Sequence, residues 1–96
     1  MKICFVTTGD IKRIATSKRA LGMAAPLSSS GWEVHILMED TEENRHRTDL
    51  ECPASVKVHF FPRSTALGEV RIKNRMIRHI RPDFIYLCAF VFRNIV

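Results

Sequence analysis

Between Gly9 and Arg19 the chain sets four cations (Lys12, Arg13, Lys18, Arg19) and two hydroxyls (Thr16, Ser17) around a single glycine. Guanidinium, ammonium and hydroxyl groups gathered near a helix start can hold a phosphate or carboxylate, because charge-assisted hydrogen bonds add to the positive end of the helix dipole. Gly9, Lys12, Arg13 and Thr16 are therefore the candidate substrate- or phosphate-binding residues. The competing reading is a solvated loop with Lys18 and Arg19 on a helix exterior. A dinucleotide loop is excluded, since that fingerprint needs G-x-G-x-x-G and this stretch reads Thr8-Gly9-Asp10-Ile11-Lys12-Arg13. Without it, Glu39-Asp40 reads more simply as the start of an acidic loop than as a ribose-binding acid.

A second set of cations, Arg71, Lys73, Arg75 and Arg78, falls in a segment with helical periodicity. A basic helix can meet an anionic membrane surface, and these four are the candidate membrane contacts. The alternative is a solvated face neutralised by the acidic stretch. Residues 39–51 carry six acids against Arg45 and Arg47, a net −4, whereas residues 70–82 carry five cations and no acid, a net +5. Nucleic acid is not expected as a partner, because no aromatic platform or recognition motif accompanies the cations. The four histidines lack metal-ligand spacing, so no metal or cofactor is expected, and no catalytic set can be assembled. Cys4, Cys52 and Cys88 form no close pair, which suits free thiols in a reducing cytoplasm. No apolar run approaches the ~20 residues of a membrane span, and no secretory signal is evident.

The elements that position these residues follow from period and punctuation. Residues 2–7 are an almost continuous apolar run, as in a strand buried on both faces. A helix follows, capped by Thr16 or Ser17, with Ser17, Ala20, Leu21, Ala24 and Leu27 on one face. Pro26 should kink or shorten it. Residues 32–38 form a second strand, residues 39–54 a long acidic loop with at most a helical turn, and residues 55–61 a third strand. A second helix over 67–80 has Ile72, Met76, Ile77 and Ile80 as its inner stripe, and a fourth buried strand spans 84–88.

Parallel strands joined by crossovers predict an α/β fold: a Rossmann-like parallel sheet flanked by helices, in strand order 3-2-1-4. Ninety-six residues allow one domain. The apolar end, residues 84–96, reads as an N-terminal part of a larger protein. The alternative is a small binding module that dimerises through this tail.

The whole pattern resembles the N-terminal domain of GT-B glycosyltransferases of the GT4 (group 1) family. Met1 to Gly9, Gly31-Trp32-Glu33-Val34 before the second strand, a Val-x-Val strand at Val56-Lys57-Val58, and Arg81-Pro82-Asp83 before the fourth strand carry the likeness over essentially all 96 residues. The resemblance implies an incomplete, acceptor-side half of a two-domain enzyme. Such an enzyme moves a sugar from a nucleotide-sugar donor to an acceptor, without a metal, in polysaccharide or glycoconjugate biosynthesis. It implies a cytoplasmic location, peripheral to the inner face of the membrane, and an inactive isolated half, because the donor domain carries the Glu-x7-Glu signature. The chain departs from the family in having Gly9-Asp10 for a Gly-Gly pair, and Tyr86 and Cys88 where relatives carry histidines.

Overall fold

The computed structural model describes residues 1–8, 14–89 and 91–96. Four strands and three α-helices alternate: β1 (Lys2–Val6), α1 (Ile14–Ser29), β2 (Glu33–Glu39), α2 (Glu42–Glu51), β3 (Lys57–Phe61), α3 (Ala66–Ile80) and β4 (Phe84–Leu87), followed by a 3-10 turn at Phe92–Asn94. All strand pairs are parallel and the spatial order is β3-β2-β1-β4, the Rossmann-like arrangement expected from the order of elements. Central β1 pairs Phe5 with Ile36 on one side and with Tyr86 on the other.

The period of two along the strands divides the core into two layers. Phe5, Val34, Ile36 and Met38 face α1, where Ala20, Leu21 and Ala24 complete the packing. Cys4, Val6, Leu37 and Phe61 face α3, which supplies Ile80 and the partly buried Ile72, Met76 and Ile77. Both helical stripes are those that the spacing predicts.

Four local expectations need correction. Thr16 and Ser17 lie inside α1, buried, and do not cap it. Pro26 does not shorten α1, which runs on to Ser29. The proline forfeits one hydrogen bond, to the Gly22 carbonyl, and the buried Leu21 and Ala24 hold the helix in place. The chain then turns at Gly31, whose φ of 91° lies in the left-handed region that glycine adopts without strain.

The acidic stretch is a full helix, α2, despite having no buried residue. Thr41 caps it by accepting from the Asn44 N–H at 3.0 Å, and Glu42 and Glu43 complement the dipole in its first turn. It lies on the α1 side of the sheet, where the Thr48 hydroxyl reaches Met38 Sδ and the Arg45 guanidinium sits 4.4 Å from the Phe60 ring centroid.

The fourth strand, finally, is not buried. Phe84, Ile85 and Tyr86 remain 49%, 45% and 43% exposed, because β4 is an edge with a neighbour on one side only.

Candidate functional site

Strand order reverses between β1 and β4, so the carboxyl ends of these two strands border the position where open α/β sheets bind ligands. β1 leads into Thr7 and Thr8, both buried, and β4 into Cys88 and Ala89. Thr7 is held to β2 by its hydroxyl, which donates to the Leu37 carbonyl at 2.8 Å. Arg19 crosses from α1 and donates to the Cys88 carbonyl at 2.8 Å. Thr16 lies buried in the first turns of α1, at the same edge. Gly9, Lys12 and Arg13 lie outside the described residues. Of the four predicted anion contacts, the structure thus places Thr16 alone.

On the α3 side the same edge holds a buried ionic network. Lys73, expected on the basic exterior, points inward and is fully buried. Its ammonium donates to the Thr7 carbonyl at 2.6 Å, the Arg93 carbonyl at 2.8 Å and Asn94 Oδ1 at 2.5 Å, and pairs with Glu69 at 2.7 Å. Arg93 bridges the other Glu69 oxygen at 2.9 Å and the Ser64 carbonyl at 3.1 Å. Asn94 donates to the Val6 and Ala89 carbonyls at 3.1 and 3.0 Å. The network ties the end of β1, the start of α3 and the last turn together. Burial pushes the Lys73 ammonium down, against the pull of Glu69.

Lys73 is therefore withdrawn as a membrane contact: its position continues the apolar stripe, and its charge is satisfied inside. That stripe reads Glu69, Ile72, Lys73, Met76, Ile77, Ile80, so the i,i+4 acid–base pair at its head carried the signal for the network.

Glu39, at the carboxyl end of β2, is buried with one oxygen lacking a hydrogen-bond partner, and burial pushes its carboxyl up. The buried thiols are also disfavoured as nucleophiles. Desolvation raises Cys4 to about 12 and Cys88 to about 11, and a thiol protonated at neutral pH attacks poorly.

At the sheet's other end the residues of the family-like motifs act on the sheet itself. The Lys2 N–H donates to Asp83 Oδ2 at 2.8 Å, the Asp83 N–H returns to the Lys2 carbonyl at 2.8 Å, and the Glu33 N–H donates to the Met1 carbonyl at 2.9 Å. Arg81-Pro82-Asp83 and Gly31-Trp32-Glu33 thus start β4 and β2 in register with β1. Beside them Glu33, His35 and His59 form a chain: His35 Nε2 lies 2.6 Å from Glu33 Oε2, and His35 Nδ1 lies 2.8 Å from His59 Nε2. Among the described residues no group of three or more His, Cys, Asp or Glu could hold a metal ion.

The remaining cations of α3 do form a surface. Arg71, Arg75 and Arg78 are exposed and, with Asn74, line a concave pocket of about 270 Å³. The acidic helix α2 lies across the sheet and does not neutralise them. Among the described residues no helix is long and apolar enough to cross a membrane.

Comparison of the chain with protein-family models, with curated proteins and with solved structures finds no match. Fold and edge together define a parallel, Rossmann-like α/β unit with a polar carboxyl edge.

Proposed function

We propose that this chain is the acceptor-side half of a GT-B-type glycosyltransferase, which moves a sugar from a nucleotide-sugar donor to an acceptor. The observation that carries the reading is the parallel β3-β2-β1-β4 sheet, with Gly31-Trp32-Glu33-Val34 and Arg81-Pro82-Asp83 entering β2 and β4 on either side of β1. That arrangement directs Thr7 and Thr8 to the carboxyl edge, where a second domain would face them across a cleft. Gly9, Thr16 and the cations Lys12 and Arg13 are the proposed contacts to an anionic acceptor or to the donor diphosphate. In such a protein this half orients the acceptor, and the facing half binds most of the donor.

The test is the reading frame together with a transfer assay. A frame that continues past Val96 into a second Rossmann-like half, and a product that releases nucleoside diphosphate from a nucleotide-sugar in the presence of acceptor, support the proposal. A stop codon directly after Val96 would overturn it.

One observation favours a second reading, a non-enzymatic binding module that pairs with its own copy. Phe92 and Ile95 in the final segment are 55% and 59% exposed, beside the open β4 edge. A stop after Val96 combined with a stable dimer would select that reading.

A further inference from the structure

We propose that the outer face of α3 is a binding site for a phosphate-bearing anion, held by the guanidiniums of Arg71, Arg75 and Arg78 around the pocket that Asn74 helps to line. The inference stands apart from the sugar-transfer reading, since anion binding by this face and transfer by a two-domain parent can each fail alone.

The spacing is the first argument. Positions i, i+4 and i+7 share one face of a helix and span about 10 Å at 1.5 Å per residue. Three forked donors thereby border one concavity. That concavity has a volume of about 270 Å³ and is bordered by Asn74 as well. A guanidinium matches phosphate bidentately, and three of them exceed what one carboxylate can neutralise.

The second argument is the lack of an internal counter-charge. Among the described residues no carboxylate pairs with Arg71, Arg75 or Arg78. The acid of the same helix nearest to them, Glu69, is buried and bound to Lys73 and Arg93. The acidic helix α2 packs beside α1 on the opposite face of the sheet. Like charges one turn apart destabilise a helix, so Arg71 and Arg75 work against the fold they sit on. The helix dipole favours Arg78 in the last turn but leaves the other two unexplained. A bound dianion supplies what the fold does not.

The experiment follows the amide resonances of the isotopically labelled 96-residue chain in 0.15 M salt during titration with pyrophosphate. In parallel, the chain is sedimented with phosphatidylcholine vesicles with and without phosphatidic acid. The expected result is saturable change confined to α3. Arg75→Gln should weaken it at least tenfold, and Lys57→Gln, an equal change in charge on β3, should leave it within about twofold, because the site and not the net charge binds. Saturation by pyrophosphate assigns a soluble phosphate compound. Saturation only on phosphatidic acid vesicles, lost in Arg75→Gln, assigns a lipid headgroup, and both support the site. Equal weakening by the two substitutions, or no saturable response in either arm, overturns it.

Discussion

Lys73 shows how one residue sets the terms for a whole edge. A fully buried ammonium is tolerated only with its donors used, and here three acceptors and a carboxylate surround it. Removing the lysine alone would take from the buried Glu69 one of the two charged partners it has among the described residues, Lys73 and Arg93. Lys73→Met is expected to cost about 3–5 kcal/mol in urea unfolding, the usual penalty for breaking a buried pair from one side. The double substitution Glu69→Leu/Lys73→Met should recover at least half of that loss, because it removes both charges and keeps the volume. A double variant no more stable than Lys73→Met would show that the network, and not the unpaired charge, dominates. The lysine's type says surface, and its partners at Thr7, Arg93 and Asn94 lie 66, 20 and 21 residues away. That is why its residue type, read without those partners, places it on the basic exterior although its spacing continues the apolar stripe.

At the scale of elements, β2 and β3 are joined by more than their backbone ladder. The rings of His35 and His59 stack at 5.1 Å with an 11° tilt, and the nitrogen pair at 2.8 Å requires that one of them accept. Burial pushes His59 below its ordinary value, and nearby His35, Lys57 and His79 add to the effect. The folded chain therefore keeps His59 neutral where the unfolded chain takes up a proton. Stability is full above the unfolded value of 6.5 and falls as pH drops below it. Between pH 7.5 and 5.5, urea unfolding should show a loss of at most about 1 kcal/mol, allowing for the partial exposure of the ring. His59→Gln should flatten that part of the profile. An unchanged slope would assign the loss to other groups.

The element least legible from sequence is α2. With no buried residue it has no apolar stripe, and the cues that remain are its Thr41 cap and the Glu43–Arg47 pair one turn apart. By contrast α1 and α3 are visible from their stripes, since each faces one layer of the core.

Across the whole molecule, charge and apolar surface are both segregated. The acidic helix and the arginine face lie on opposite sides of the sheet, and the open edge of β4 carries Phe84, Ile85 and Tyr86. Trp32, just before β2, and Phe5 of β1 pack against Phe84 and Tyr86, at 5.7 and 5.5 Å between ring centroids, and leave their outer sides open. An unpaired apolar edge strand is a template for another strand. The 96-residue chain is expected to self-associate with rising concentration in sedimentation velocity. Ile85→Lys, which puts a charge on that edge, should weaken the association at least tenfold without lowering the thermal midpoint. Undiminished association would move the contact to Phe92 and Ile95 in the final turn.

Local pattern was enough to set the strands, the two amphipathic helices and the order that makes the sheet parallel. Apolar period, glycine and proline act over a few residues, and the rule of right-handed crossovers then leaves few topologies. It was also enough to mark Arg71, Arg75 and Arg78 as a cationic set. Only the tertiary structure decided that Lys73 leaves this set for the interior, that the acids of α2 lie too far across the sheet to neutralise it, and that β4 is an exposed edge. Each depends on which elements come to share a face. That is settled by packing between residues far apart in the chain, which no local window contains.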